Sequence, residues 1–100
     1  MAKTKVEVRG GCYSACTLVL AYVEPANLCV EAGAFMAFHA ARSGETRMDH
    51  ETWLIYFKMP VPVRKWIDAN GGYEKLPVQG FWTMYDRDLW AMGYSRCEAK

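Results

Sequence analysis

The chain has 100 residues, a length that suits one domain with a single core. A hydrophobic fraction of 52% excludes a disordered chain, and 14% aromatic residues offer large surfaces for burial or for an interface. With 12 basic side chains against 11 acidic ones, the net charge of +1 argues against nucleic-acid binding through bulk positive charge.

No predicted segment crosses a membrane. The longest apolar stretch, residues 15–23, is too short for a bilayer and is followed at once by Glu24-Pro25. Residues 1–9 lack the apolar region of a secretory signal. The sequence as written therefore predicts a cytoplasmic protein, and a true start upstream of Met1 would instead predict a periplasmic one.

The first predicted elements are a strand and a buried helix. Residues 5–9 alternate apolar and charged side chains, which predicts a short strand broken by Gly10-Gly11. Ser14 is placed to cap a helix over residues 15–23, and the apolar character of that segment on nearly every face predicts burial.

Two further strands are predicted before the middle of the chain. Turn residues at 24–27 end the first helix, and strands follow at 28–30 and 35–39 with a turn at Gly33 between them. The small and polar residues 40–46 predict a loop.

The second half is predicted to be mainly helical. A helix is predicted over residues 48–58, and another begins at Pro62 and is closed by Gly71-Gly72. Residues 76–83 are predicted to be extended, and a last short helix covers 86–92. The order of elements predicts an α/β fold, with a short sheet covered by helices.

The four cysteines (Cys12, Cys16, Cys29 and Cys97) allow three two-bridge pairings and contain no CxxC motif. They are interpreted as small buried hydrophobic residues or, in an oxidising compartment, as a bridge from Cys12 or Cys16 to Cys29. Neither histidine lies at ligand spacing from a cysteine pair, so no metal and no cofactor is expected.

The most informative stretch for chemistry is residues 10–17. Ser14 follows a glycine-rich turn and opens a predicted helix, where the backbone N–H of Ala15 could help to hold an oxyanion. His39 follows a predicted strand 39 − 14 = 25 residues later and is a candidate general base. Considered without further context, these residues are more simply a helix cap and a half-buried imidazole.

Residues 10–42, GGCYSACTLVLAYVEPANLCVEAGAFMAFHAAR, resemble the nucleophile and base segment of the ClpP/crotonase superfamily. The resemblance is closest to uncharacterised bacterial ClpP-like proteins of the periplasmic type, with weaker similarity at residues 62–72 and 88–93. It implies a partial ClpP/crotonase-like fold in one domain over residues 1–100. It also implies a serine nucleophile at Ser14, a base at His39 and an oxyanion-hole N–H at Ala15.

Two features depart from that family pattern. Only nine residues precede Gly10, so we expect the upstream unit with the glycine-rich oxyanion loop to be missing. The acid of the triad is ambiguous: the spacing from His39 implies Asp88 or Asp86, whereas anchoring on the final helix puts Phe81 nearest that place. Both carboxylates are also explained as first-turn residues of the last helix.

Two functions follow from the resemblance. The first is a serine hydrolase acting on peptides, weak or inactive as an isolated chain, whose fold is completed by a partner chain or within a homo-oligomer. The alternative is a non-catalytic, truncated ClpP-like module that acts in assembly or protein interaction through an open sheet edge.

Overall fold

The computed structural model describes residues 5–98 and shows an α/β fold with short strands and helices. The strands are β1 (Val6–Val8), β2 (Gly11–Tyr13), β3 (Leu28–Val30), β4 (Phe35–Phe38), β5 (Arg42–Ser43), β6 (Thr46–Arg47), β7 (Trp82–Tyr85) and β8 (Ser95–Arg96). The α-helices are α1 (Val19–Tyr22), α2 (Asp49–Lys58), α3 (Val61–Ala69) and α4 (Asp86–Ala91). Turns of 3₁₀-helix lie at Ser14–Leu18, Pro25–Asn27 and Tyr73–Lys75.

The strands form two three-stranded sheets and one hairpin. The first sheet has the order β1-β3-β8 and is parallel throughout. In the second, with the order β2-β4-β7, β2 runs parallel to β4 and β7 runs antiparallel to it. Strands β5 and β6 form the separate antiparallel hairpin.

Two backbone hydrogen bonds connect the two three-stranded sheets. The backbone N–H of Glu31 donates to the carbonyl of Val8 at 2.9 Å, and that of Phe35 donates to Gly10 at 3.1 Å. These bonds link the chain between β1 and β2 to the chain between β3 and β4. Gly10 has a φ of 62°, a left-handed conformation that glycine adopts without steric cost.

The core lies where the sheets meet the helices. Cys12, Met36 and Met84 face each other across β2, β4 and β7, and each is at most 2% exposed. Val63 and Ile67 of α3 are spaced one helical turn apart and are also buried, so α3 packs one apolar stripe into the core.

Most of the predicted elements are confirmed, with boundaries shifted by one to a few residues. Four strands were not foreseen. The predicted loop at 40–46 contains β5 and the start of β6. Strand β2 begins at Gly11, where the glycines were expected to end the first strand, and β8 lies near the end of the described chain. Each of these strands is two or three residues long. Strands β2 and β8 are held by pairing with distant segments, which no local pattern reveals, whereas β5 and β6 pair with each other but are too short to show an alternating pattern.

The helix after Ser14 differs from its prediction. Its first five residues form a 3₁₀-helix and only Val19–Tyr22 is α-helical. The hydroxyl of Thr17 donates to the carbonyl of Ser14 at 2.6 Å, a local bond that competes with α-helical pairing. Ser14 is also not the cap, because Tyr13 holds that position.

The expected bridge from Cys12 or Cys16 to Cys29 is wrong. The disulfides join Cys12 to Cys16 and Cys29 to Cys97. The first pairing is local, since Cys12 ends up on β2 and Cys16 on the turn that follows it. The second links β3 to the chain just after β8, its neighbour in the sheet.

Within residues 5–98, none of the helices is both long and apolar enough to span a bilayer.

Candidate functional site

Ser14 occupies the sharp turn between β2 and the 3₁₀-helix. Its φ of 53° is the one positive φ of a non-glycine residue between residues 5 and 98. Non-glycine residues adopt this conformation at a cost, and such strain concentrates at functional sites. The turn presents Ser14 at the protein surface, where its side chain is exposed.

His39 follows the last residue of β4 and is half-buried. Its Nδ1 lies within hydrogen-bond distance of the carbonyl oxygen of Ala40. A carbonyl only accepts hydrogen bonds, so Nδ1 carries the proton of the neutral ring. Nε2 is then the basic nitrogen, which is the state that a general base requires.

Ser14 and His39 line the same cavity, whose volume is about 410 Å³. Because β2 and β4 are adjacent parallel strands, the residues that follow them emerge at the same sheet edge. The cavity lies within the size range of small-ligand sites. In the described part of the chain, no hydrogen bond joins the Ser14 hydroxyl to His39, as is common before substrate draws such a pair together.

The remaining cavity wall is largely apolar. Its side chains come from β4, the 3₁₀-helix, α2, α3 and the segments beside them, and include Leu18, Phe38, Ile55, Met59, Ile67 and Leu76. Two threonines also line it, but both hydroxyls are already paired. Thr17 donates to Ser14, and Thr52 donates to the Met48 carbonyl at 2.8 Å and accepts from the Ala41 N–H at 2.9 Å. The polar groups left for a ligand are thus mainly Ser14, His39 and Arg42.

Ala15 also lines the cavity and is exposed. It is the second residue of the 3₁₀-helix, where backbone N–H groups have no partner within the helix. The structure therefore brings together Ser14, His39 and Ala15, the three residues that the sequence singled out at this site.

The predicted acids lie outside this group. Between residues 5 and 98, the lining of the cavity includes no carboxylate. Asp88 lies in the first turn of α4, where its carboxylate accepts the backbone N–H of Tyr85 at 2.9 Å. This contact corresponds to the simpler interpretation of Asp88 as a first-turn residue.

Asp86, the other candidate acid, joins α4 to the turn before β4. Its carboxylate accepts the backbone N–H of Gly33 at 2.7 Å and that of Arg87 at 2.7 Å. The Gly33 bond, followed by the Arg87 bond, lowers the pKa of this carboxyl below its ordinary value. Asp86 thus acts as a link between two segments.

Phe81 is the contact of His39 that sequence reasoning did not assign a role. The two ring centroids lie 5.4 Å apart with an interplanar angle of 61°. Phe81 precedes β7, the antiparallel neighbour of β4, so pairing of these strands brings residues 39 and 81 together. The only sequence signal for this position was the alignment on the final helix.

Tyr56, a residue of the cavity wall, is held in place by a hydrogen bond to a residue of α3. Its hydroxyl donates to the Asp68 carboxylate at 2.8 and 3.0 Å, which joins α2 to α3. This bond to a carboxylate is the main cause of the raised pKa of Tyr56.

Neither a protein-family model, nor a curated protein, nor a solved structure matches this chain.

Proposed function

We propose that this chain carries a serine hydrolase site of the ClpP/crotonase type, with Ser14 as nucleophile, His39 as base and peptides as substrates. The observation that carries the proposal is the cavity that Ser14 and His39 share. It is supported by the left-handed backbone of Ser14 and by the hydrogen bond that leaves Nε2 of His39 as the basic nitrogen.

The proposed reaction follows from these roles. The Ser14 oxygen attacks the substrate carbonyl while Nε2 of His39 takes the hydroxyl proton. The N–H of Ala15 donates to the oxyanion, and the leaving group departs with the proton from His39. Water, deprotonated by the same imidazole, then releases the acyl group from Ser14.

The proposal predicts weak activity for the chain alone. One N–H donor is assigned to the oxyanion, and loss of a single donor typically lowers the rate by about 10²–10³. The resemblance implies that the second donor belongs to a further unit, supplied by a partner chain or a neighbouring subunit. The Ala40 carbonyl, rather than Asp88 or Asp86, holds Nδ1 of His39 in this proposal.

Fluorophosphonate labelling, read by intact mass and peptide mapping, tests the proposal. We expect one adduct on Ser14 that is lost in Ser14→Ala and in His39→Ala. Asp88→Asn should label at the rate of the wild type, since its carboxylate binds the backbone of α4. A folded wild-type protein without an adduct on Ser14 would rule out the hydrolase.

The alternative function, a non-catalytic module for assembly, is favoured by one specific feature. Parallel strands normally have both faces covered, yet one face of the β2-β4-β7 sheet exposes aromatic rings. Tyr13 is 51% exposed and Tyr85 is 46% exposed, and they share this face with Phe35. A second copy or another chain that covered these rings would complete the sheet.

Sedimentation velocity decides whether this face mediates assembly. A mass well above 11.4 kDa that falls in Tyr85→Ser, but not in Tyr22→Ser, would support it. Tyr22 is the matched control, because it is 49% exposed on α1. A monomeric wild type would remove self-assembly as a function of this face.

We also propose that the protein works in an oxidising compartment such as the periplasm. All four cysteines lie within residues 5–98 and all are bridged. Disulfides persist in exported proteins and are reduced in most cytosols. Thiol alkylation of protein taken directly from cells tests this: unmodified cysteines support export, and four alkylated cysteines refute it.

A further inference from the structure

A row of aromatic rings connects the base to the strand that carries the nucleophile. The ring of Phe81 contacts His39 at a centroid distance of 5.4 Å and contacts Tyr13 at 5.3 Å. Tyr13 in turn contacts Phe35 at 5.5 Å. The interplanar angles of 61°, 72° and 87° make all three contacts edge-on, the arrangement that aromatic quadrupoles favour.

Gly11 makes room for this row. A Cβ at this position would lie 2.5 Å from a ring carbon of Tyr13 and 2.7 Å from a ring carbon of Phe35. Both rings therefore rest directly on the backbone of β2. The row is anchored at one end on the sheet and reaches His39 at the other.

We propose that Phe81 is the positioning residue for His39. Its ring restrains the imidazole so that Nδ1 stays on the Ala40 carbonyl and Nε2 stays free to accept a proton. In serine hydrolases a carboxylate usually holds this tautomer. Here the restraint comes from an aromatic ring that carries no charge, together with a backbone carbonyl. The catalytic consequence rests on the proposed hydrolase, whereas the restraint on the ring does not.

This arrangement has a chemical consequence. An aromatic ring can orient the imidazole, but it offers no counter-charge to the imidazolium that forms when His39 takes the proton of Ser14. Phe81 therefore gives His39 the geometry of a base without the electrostatic support of a triad. Without that support, we expect hydrolysis to be weak.

The test reads the tautomer and the chemistry separately. The protein is labelled with ¹⁵N-histidine, and His39 is distinguished from the other histidine by His50→Gln. The ¹⁵N shifts of the neutral ring then report which nitrogen carries the proton. The rate of fluorophosphonate labelling of Ser14 is measured on the same samples.

Phe81→Leu should change both readouts. We expect the Nδ1-protonated tautomer to give way to a mixture, and labelling to slow by about two- to tenfold, the range that an aromatic pair contributes. Phe81→Tyr keeps the ring, so its tautomer and its labelling rate should match those of the wild type. Phe57→Leu is the matched control and should change neither, since Phe57 is 58% exposed on α2 and contacts Trp53 and Arg64.

The outcomes separate the two proposals. An unchanged tautomer in a folded Phe81→Leu protein would overturn the role of Phe81, whatever the labelling rate. A wild type that is never labelled would refute the hydrolase, yet a Phe81-dependent tautomer would still establish the restraint. A mixed tautomer in Phe81→Tyr would also count against the positioning role of Phe81, because this variant keeps the ring that is the proposed cause.

Discussion

At the residue scale, Ser14 adopts a backbone conformation that is unfavourable for serine, and such strain is common at functional sites. A serine gains nothing in stability from a left-handed backbone, and glycine would adopt this conformation with less strain. The Ser14 carbonyl also accepts the Thr17 hydroxyl, and the Cys12–Cys16 bridge encloses the turn. The neighbouring residues therefore hold a conformation that the serine alone would not favour.

Two tyrosines test how a hydrogen-bond partner decides what a hydroxyl contributes to stability. Tyr94 is 5% exposed, its hydroxyl has no partner among residues 5–98, and burial raises its pKa. Tyr94→Phe should therefore raise the free energy of unfolding by about 1 kcal/mol, because it removes an unpaired polar atom. Tyr56→Phe should lower it by about 0.5–1.5 kcal/mol, because that hydroxyl donates to Asp68.

Urea denaturation measures both changes. The opposite signs are the essential result, since each substitution deletes the same atom from the same type of residue. A destabilised Tyr94→Phe protein would show that the Tyr94 hydroxyl is paired in solution.

At the element scale, short strands and helices are held by links between distant segments. Asp86 ties the start of α4 to Gly33, and the indole N–H of Trp90 on α4 donates to the Val30 carbonyl of β3 at 3.1 Å. Arg47 on β6 donates to the carbonyls of Tyr73 and Leu76, which anchors the hairpin beside the cavity. Elements this short need such links because their own backbone bonds are few.

The Asp86 link predicts a pH-dependent stability. Its carboxyl has a pKa below the ordinary value in the folded state, because the backbone N–H of Gly33 favours the charged form. The stabilisation is then complete above the ordinary aspartate pKa of about 3.9, and it is lost as the pH falls through the lowered folded-state value. Asp86→Ala should destabilise the protein at pH 7, and the difference from wild type should shrink toward pH 2.

Chemical denaturation across this pH range checks the prediction. Glu24→Gln, which removes an exposed carboxylate from the segment after α1, is the control for the loss of one negative charge. A deficit in Asp86→Ala that stayed constant from pH 7 to pH 2 would mean that charge plays no part in the link.

At the scale of the whole molecule, the two disulfides close loops of very different length. Cys29 and Cys97 lie 68 residues apart in sequence and join the chain near its described end to β3. Cys12 and Cys16 lie four residues apart and close only the turn that carries Ser14. A bridge that closes a longer loop removes more entropy from the unfolded chain.

Paired substitutions test this difference. Replacing Cys29 and Cys97 by alanine should lower the free energy of unfolding by about 4 kcal/mol, and replacing Cys12 and Cys16 should lower it by about 2 kcal/mol. Urea denaturation of the two double variants gives both values. A larger loss at the Cys12–Cys16 pair would contradict the entropic argument and would point to packing of the buried Cys12 instead.

Elements that are encoded by neighbouring residues were predicted well, and those that depend on distant residues were not. The alternation before Gly10, the proline at the start of α3 and the glycines after it identify their elements within a few residues. The β5–β6 hairpin is local, but its two-residue strands are polar and show no alternation of apolar side chains. Strand β8 carries no signal, since it exists only through pairing with the distant strand β3. The cysteine pairing was missed for the same reason, because four cysteines allow three pairings until the strands are placed.

The sequence by itself determined the α/β class, since glycine-rich turns and apolar strands are encoded in consecutive residues. It also offered Ser14 and His39 as candidates, and the resemblance of residues 10–42 to a known family is what favoured them as a pair. Only the tertiary structure decided what surrounds the pair. Parallel pairing of β2 with β4 brings Ser14 and His39 to one cavity, and antiparallel pairing of β7 with β4 sets Phe81 rather than a carboxylate against the imidazole. These contacts join residues up to 50 positions apart, as in the pairing of Phe35 with Tyr85, and such distances are closed only when the sheet forms.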